Sequence, residues 1–561
     1  MRPKGKNKEK QKKLSIIPLG GIGEIGKNMF VVHYQQEIII LDAGLMFPEE
    51  EMLGVDIVIP DISYVLEHKD KVKAIILSHG HEDHIGALPF ILPRLNVPVY
   101  GTKLTLGLLR YKLEEKGILG DVELHEIGAG QELQIGSFQV NFFATNHSIP
   151  NSVGMIVKTP VGNIVYTSDF KFDHTPVSGE IMDFYKLAEI GREGVLVVLS
   201  DSTNAGRPGY THSEKEVGQT LNEIFHAAEG RVIIVTFASN IDRIQQIVHA
   251  AADSGRKLAI DGWSMVNNVE IARELGFLSI PSKTLIEIED IKKVPGHQTA
   301  LLTTGTQGEP MSALTRLANG THRKFEILRG DTVVMAASPI PGNEKLVSRT
   351  IDNLYRRGAK VIHEIQSGVH VSGHGSREDL KMMLNLLRPQ YLIPVHGEYR
   401  HLVHHGKIAE EVGMDKENIF IVENGNVIEF SPSQARVLPS IQAGYVFVDG
   451  LGIGDVGNVV LRDRQVLSKD GIFIVVLTID TETMKVVSGP DIVSRGFVYV
   501  KESEELLEEA KEQVVSALDG LMRKNISDWS TIKNNVRDSL NKFLWEKTGR
   551  KPMILPVIME I

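Results

Sequence analysis

Ser78-His79-Gly80-His81-Glu82-Asp83-His84 is the stretch on which the reading of this chain turns. It follows an apolar run at 73–77 (KAIIL) with the length and make-up of a buried strand, and it precedes an amphipathic segment, IGALPFILPRL. Three imidazoles and a carboxylate therefore fall in a tight turn between a strand end and a helix start. Alternate spacing lets His79 and His81 converge on one cation, while Asp83 and His84, at the start of the helix, point toward a second. Neutral imidazole nitrogens and carboxylate oxygens are the ligands that Zn²⁺ or Mn²⁺ takes, and the chain has no cysteine to compete for them. The competing reading is a solvated histidine-rich loop. Four ligand-type residues within six positions weigh against it.

On the N-terminal side, LSIIPLG reads as a strand and runs into Gly21-Ile22-Gly23-Glu24-Ile25-Gly26. This matches the dinucleotide fingerprint, but that motif needs a helix next, and NMFVVHYQQEIIILDAG is instead two β-rich runs around a polar turn. The glycines are better read as a tight loop near the site. The second run ends in Asp42, where a carboxylate could orient a metal-bound imidazole or merely turn the chain. Further strands, FQVNFFATNH and GMIVKTPVGNIVYTSD, end near His147 and Asp169. A carboxylate such as Asp169 can bridge two cations roughly 3.5–4 Å apart, the separation used in two-metal hydrolysis.

The 561 residues are too many for one core, so two to four domains are expected, and 42% hydrophobic with 24% charged residues is ordinary for a soluble globular chain. Absence of cysteine excludes disulfides and fits a reducing compartment. A net charge of −10 argues against a wholly basic nucleic-acid binder, so a polyanion would have to be met by a local basic groove. The first 13 residues carry seven Lys/Arg and one Glu, which reads as a disordered solubilising tail or, more sharply, a weak RNA contact. No signal-peptide core and no 18-residue apolar run follow, so no membrane segment is expected.

From about Leu196 strands and helices alternate (RVIIVTFASN, IDRIQQIVHAAADSG, KLAIDG, TALLTTGTQGEP, DTVVMAASPIPGNE, KVIHEI), the pattern of a parallel sheet flanked by helices. This block lies between Asp169 and Tyr391-Leu392-Ile393-Pro394-Val395-His396, so it reads as an insert into the first domain. Its strand exits, Phe237-Ala238-Ser239-Asn240, Ser338-Pro339-Ile340-Pro341-Gly342-Asn343 and His370-Val371-Ser372-Gly373-His374, have phosphate-binding chemistry. Each alone would pass as an N-cap or turn. Their concentration after consecutive parallel strands points to a shared cleft.

The order Asp42, His79-x-His81-x-Asp83-His84, His147, Asp169 resembles the metallo-β-lactamase superfamily, which implies an αββα sandwich with metals at one edge. Ser168 departs from the glycine common before the bridging Asp, and a small adjustment is expected there. The resemblance narrows to the β-CASP nucleases and the bacterial ribonuclease J family through Asp201-Ser202-Thr203-Asn204, Phe237-Ala238-Ser239-Asn240, Gly305-Thr306-Gln307-Gly308-Glu309-Pro310, His370-Val371-Ser372-Gly373-His374 and Val395-His396-Gly397-Glu398-Tyr399-Arg400. It implies that Asp201 is the acidic motif, His374 the catalytic histidine and His396 the last metal ligand. DNA-directed relatives tend to have Val at that last position, so RNA is favoured. All ligands are kept, as in the active kind of relative.

The fold class this implies is α/β: a metallo-β-lactamase sandwich, an inserted parallel-sheet β-CASP domain and a small C-terminal α/β domain. The expected divisions are a basic tail at 1–13, the sandwich at 14–210 and 371–430, the β-CASP domain at 211–370, a linker at 431–450 and the C-terminal β-β-α-α-β domain at 451–561. Carried over, one metal is held by His79, His81 and His147 and the other by Asp83, His84 and His396, with Asp169 shared and Asp42 behind them. The metals are expected to be Zn, or else Mn or Mg. Asp83, His374 and Asp201 carry catalysis, with His374 as general acid oriented by Asp201. Phe237, Ala238, Ser239, Asn240, His370, Val371, Ser372, Gly373 and His374 line the phosphate pocket. A structural Ca²⁺ falls to Asp56 and Asp449.

The implied activity is 5′→3′ exoribonuclease action preferring single-stranded 5′-monophosphate RNA, with endonuclease activity, in cytoplasmic rRNA maturation and mRNA decay. The implied partners are a homodimer or homotetramer through the C-terminal domain, a paralogous subunit and an RNA-degradation complex, with no membrane. Two rivals predict otherwise. A small-molecule metallohydrolase acting on thioesters or lactams would not need the insert. A non-catalytic RNA-binding scaffold would have lost ligands.

Overall fold

A computed structural model describes residues 13–177, 181–307, 311–339, 343–363, 367–431, 434–480, 485–498, 503–522 and 528–561. The expected basic tail other than Lys13, positions 308–310 of the expected glycine motif and positions 340–342 of one expected phosphate loop lie outside these. The apolar runs sort into two facing sheets. One has eight strands, in the order Gln434–Leu438, Val427–Ser431, Leu14–Gly20, Met29–Tyr34, Glu37–Leu41, Val72–Ile76, Val99–Gly101 and Leu124–Glu126. The other has six, in the order Tyr391–Val395, Val197–Asp201, Asn163–Tyr166, Val153–Lys158, Phe138–Ala144 and Glu132–Ile135.

Because strand side chains alternate, one face of each sheet supplies a common core. Ile16, Val32, Ile39 and Ile76 come from the first sheet, and Val140, Met155, Ile164 and Leu199 from the second. The far face of the six-stranded sheet carries Ile156, Val165, Val198 and Leu392, covered by helices Phe184–Glu193 and Arg377–Leu387. Helix Lys103–Glu115 packs at the other sheet's Val99–Gly101 end. The αββα sandwich implied by the resemblance is the architecture.

Strand Val197–Asp201 pairs in parallel with Asn163–Tyr166 on one side and Tyr391–Val395 on the other. Between these the chain builds a separate parallel sheet, ordered Lys257–Ile260, Thr299–Thr303, Val232–Val235, Thr332–Met335 and Lys360–Ile362. It then rejoins the sandwich beside the strand it left, with Asp201 opposite Val395 in register. Asp42, the turn at 78–84, His147, Asp169, Asp201 and His396 consequently all sit at or just past strand ends. Asp42, Ser168 and His396 adopt left-handed backbone, with φ of 60°, 54° and 53°. Such conformations are disfavoured for residues with a Cβ and concentrate where geometry serves a site.

The segment after the ligand turn, expected as one amphipathic helix, is two short ones, Glu82–Ile85 and Leu88–Ile91. Pro89 lies in the first turn of the second, where a missing N–H is tolerated and a new helix starts.

A second unit comprises residues 48–56 and 447–561. Its sheet, ordered Val486–Arg495, Ile472–Ile479 and Met553–Glu560, is covered on one face by helices Glu504–Met522 and Trp529–Thr548. The expected β-β-α-α-β order is present. Helix Asn458–Asp470 precedes it and was not anticipated; it fully buries none of its residues, so no apolar stripe announces it. Among the described residues no helix is long and apolar enough to cross a membrane.

Candidate active site

Three overlapping groups of ligand-type atoms form where the strands end. The first comprises His79, His81, His147 and Asp169, the second Asp83, His84, Asp169 and His396, and the third Asp201, His374 and His396. In the first, His81 Nδ1 lies 3.1 Å from His79 Nε2 and 3.1 Å from His147 Nε2. In the second, His396 Nε2 lies 3.0 Å from Asp83 Oδ2, and His84 Nε2 lies 3.7 Å from the same oxygen. Asp169 Oδ2 joins them, at 3.3 Å from His84, 3.4 Å from His147, 3.7 Å from His79 and 3.8 Å from His396.

The outer ring nitrogens explain why the inner ones face each other. Ser78 Oγ donates to Asp42 Oδ2 (2.8 Å), so it accepts from His79 Nδ1 at 3.0 Å. His84 Nδ1 donates to Asp42 Oδ2 (2.7 Å) and His147 Nδ1 to the Gly373 carbonyl (2.8 Å). Thr203 Oγ1 donates to the His396 carbonyl and so accepts from His396 Nδ1 at 2.6 Å. In the first group, where burial keeps the rings neutral, His79 Nε2 and His147 Nε2 both face His81 Nδ1 with their own N–H groups turned outward. Ring nitrogens gathered this way suit a cation, and outward N–H contacts of this kind are what orients metal-binding imidazoles. Asp169 Oδ1 is buried with no hydrogen-bond partner among the described residues, a further acceptor for a cation. The donor set fits divalent ions.

The protonation pattern follows from burial and the carboxylates. Burial pushes His147 down to about 3 and His81 to about 4, and takes His79 well below the ordinary value, helped by the neighbouring His84 imidazole. Burial acts the same way on His84 and His396, but the carboxylates outweigh it. Asp169, with Asp83 and Asp42, lifts His84 well above its ordinary value, and Asp169 and Asp83 bring His396 to about 9. Burial would raise Asp169, yet His396 and His84 hold it well below the usual carboxylate range. Asp83 is held down in the same way, by His84 first and then His396.

Asp201 and His374 adjoin this cluster. His374 Nδ1 donates to Asp201 Oδ2 (2.8 Å) and lies 4.0 Å from Asp169 Oδ2. Burial opposes its charge, but Asp201 and then Asp169 prevail and raise it above the ordinary histidine value. The loop at 370–374 links this cluster to the parallel sheet. The Gly373 carbonyl accepts from His147, and a Cβ at Gly373 would stand 2.6 Å from that imidazole, so only glycine fits. Ser372 Oγ accepts from Asn204 Nδ2 (2.8 Å), and His370 Nδ1 faces Arg243 Nη1 at 2.9 Å. Burial, then the Arg243 charge, pushes His370 down to about 3, so its ring is neutral. Asn240 caps helix Ile241–Asp253, its side-chain oxygen accepting from the Arg243 amide (3.1 Å). Phe237, Ala238 and Ser239 are half-buried beside it.

Residues beyond the ligands also shape the site, and of these Tyr166 has no signal of its own in the sequence. Tyr166 donates to Asp42 (2.7 Å) and Ser168 Oγ lies 3.3 Å from His79 Nδ1. Ser168 thus keeps the left-handed turn suited to glycine and adds a hydroxyl behind a histidine. The glycine loop at 21–26 meets the site through the Gly21 carbonyl, which accepts from the His396 amide (2.7 Å). In the second unit, Asp56 Oδ2 accepts from the Gly450 amide (2.7 Å) and Asp449 Oδ2 is paired with Arg464 (2.5 Å). Neither belongs to a metal-type group among the described residues, and Arg464 already supplies Asp449 with positive charge.

Sandwich, inserted parallel sheet and strand-end cluster together define a β-CASP metallohydrolase. Residues 22–227 match the metallo-beta-lactamase superfamily, 229–354 the ribonuclease J beta-CASP domain, 358–422 the Zn-dependent metallo-hydrolase RNA specificity domain and 459–561 the ribonuclease J C-terminal domain. The chain is 51% identical to Ribonuclease J2 of Bacillus subtilis (strain 168), over 99% of this chain and 100% of that one. It is 45% identical to Ribonuclease J 1 of Streptococcus pyogenes serotype M3, over 98% of each chain, and 45% identical to Ribonuclease J 2 of Staphylococcus aureus (strain NCTC 8325 / PS 47), over 99% of each. A crystal structure of a protein of unknown function from Enterococcus faecalis V583 shares the fold, with a TM-score of 0.52 at 16% identity, covering 76% of this chain and 100% of that one. The chain belongs to the ribonuclease J family, and it is a metal-dependent ribonuclease.

Proposed function

We propose that this ribonuclease trims RNA in the 5′→3′ direction from 5′-monophosphate ends and also cuts internally, in cytoplasmic rRNA maturation and mRNA decay. The observation that carries this reading is the loop at 370–374. His147 and Asp201 hold its C-terminal half, and Arg243 holds His370 at its other end. These contacts hold a polar loop beside the His/Asp cluster, which supports a phosphate subsite there.

His79, His81, His147 and Asp169 would hold one divalent ion, and Asp83, His84, His396 and Asp169 the other; imidazole-rich sets favour Zn²⁺ over Mn²⁺ or Mg²⁺. When bound, such a pair lowers the pKa of water and offsets charge on the scissile phosphate. Asp169 would be shared by the two positions, and Asp42 fixes the His84 ring. His374, with Nδ1–H donated to Asp201, presents Nε2–H to the leaving 3′-oxygen as general acid, a task that its raised proton affinity suits. Ser239, Ser372, His370 and the side-chain NH₂ of Asn240 cradle the terminal phosphate; the Asn240 oxygen is committed to its cap.

The sheet face opposite the C-terminal helices leaves Val487, Val493, Leu555, Val557 and Met559 exposed, which supports assembly as a homodimer or homotetramer and leaves room for a paralogous subunit or a degradation complex. Comparing 5′-monophosphate with 5′-triphosphate RNA tests the pocket, and equal rates would remove it. Labelled RNA yielding only internal fragments would remove the exonuclease direction. Turnover of thioesters or lactams in place of RNA would restore the small-molecule rival.

A further inference from the structure

Helix Lys103–Glu115 runs between the ligand turn and helix Trp263–Glu274. Toward the ligand turn, Leu108 stands 2.6 Å from where a Gly80 Cβ would be, and Lys112 pairs with Glu82. Toward the other helix, Lys103 Nζ donates to the Leu275 carbonyl (3.1 Å) and Tyr111 Oη accepts from Asn267 Nδ2 (2.7 Å). That bond holds the Tyr111 ring against Trp263, centroids 5.7 Å apart at 54°. Trp263 remains 64% exposed. Trp263 follows strand Lys257–Ile260 through Gly262, whose φ of 101° makes the turn. It therefore emerges at the same carboxyl edge of the parallel sheet as Phe237-Ala238-Ser239-Asn240, while its brace, Tyr111, adjoins in sequence the lysine that holds the ligand turn.

We propose that Trp263, braced by Tyr111, is a stacking platform for one base of the single-stranded RNA held at the catalytic cleft. This rests on RNA as the substrate and adds a nucleotide subsite to it. Every base offers a π face, so the subsite binds without sequence preference, and stacking of this kind changes affinity about 5-fold to 150-fold per base. It does not depend on local charge, which is mixed here: Arg110 and Lys112 alternate with Glu82, Glu114 and Glu115.

Trp263 is one of three tryptophans, and the other two, Trp529 and Trp545, lie in the C-terminal unit. In the full chain carrying Trp529→Phe and Trp545→Phe, emission reports on Trp263 alone. Titrating the EDTA-treated protein with a labelled single-stranded oligoribonucleotide should quench that emission in step with the anisotropy rise. Trp263→Ala should weaken binding about tenfold, and Trp263→Phe should restore most of it. Anisotropy rising with emission unchanged, or Trp263→Ala binding as tightly as the parent, overturns the platform and leaves RNA as substrate intact. No anisotropy rise at any oligonucleotide concentration overturns both.

Discussion

Asp169 and Arg243 are both essentially buried, and each is the hub of a charged cluster, yet the two clusters are built in opposite ways. Around Arg243 each charge meets its complement. The guanidinium makes two 2.7 Å bonds to Glu214 and one of 2.6 Å to the Ala336 carbonyl, while Lys171 donates to the His212 carbonyl (3.0 Å) and lies 3.5 Å from Asp173. Around Asp169, N–H groups point outward, ring nitrogens face one another and one carboxylate oxygen has no partner among the described residues. The first cluster closes on itself. The second keeps facing ring nitrogens and an unpartnered carboxylate oxygen that a cation would satisfy. Burial of polar groups does not by itself distinguish a structural network from a site; the direction in which donors point does.

The sharpest way to break this comparison is to remove one donor from the incomplete cluster. His81→Ala should cut RNA cleavage by about 10³-fold or more, because several kcal/mol of charge stabilisation is lost, while RNA binding by anisotropy changes little. Cleavage within tenfold of the parent would contradict the assignment. In the closed cluster the same kind of cut should register as stability. Arg243→Met leaves Glu214 buried and unpaired and should destabilise the chain by about 3–5 kcal/mol in urea unfolding. Arg243→Met combined with Glu214→Met should recover most of that, since two apolar side chains leave no orphan. Both variants should lose 5′-end discrimination, because His370 loses its partner in each.

A smaller effect is expected one layer out. Asp42→Asn disturbs a carboxylate that accepts from Ser78 twice, from His84 and from Tyr166. Metal affinity, measured by competition with a chromophoric chelator, should fall about 10–100-fold. An unchanged affinity would mean that Asp42 only turns the chain.

How much of this the sequence disclosed depends on distance along the chain. The turn at 78–84 is local, so its ligand chemistry is legible from spacing alone, and His147, Asp169 and Asp42 are flagged by their place at strand ends. Thr203 and Tyr166 are not, because the contacts that give them a role span 193 and 124 positions. Arg243 has no local signal either, because its burial depends on Glu214 arriving from a different helix and on the Ala336 carbonyl from a strand end. Helix Asn458–Asp470 is illegible for the opposite reason, since it buries too little to leave a periodic signature. The split after Ile85 was signalled by Pro89, but the apolar spacing across it also suits one continuous helix.

The finest test of the contrast counts protons. In the metal-free chain Asp169 and its neighbours raise His396 to about 9 and carry His84 well above its ordinary value, so at pH 7 both rings hold a charge that a metal ligand cannot keep. Loading divalent ions must therefore expel protons at pH 7. His79, His81 and His147, pushed down chiefly by burial, are already neutral there and contribute none. As pH rises through about 9 His396 deprotonates before the metal arrives, and its share of the release disappears. Calorimetric titration of metal into the EDTA-stripped, dialysed chain, in two buffers of different ionisation enthalpy, should give a release of about one to two protons at pH 7 and fewer above pH 9. A release independent of pH across that range would mean that the second group does not carry its proton where its carboxylates place it. The inner nitrogens of His84 and His396 would then be bare before the metal arrives, as those of His79, His81 and His147 are.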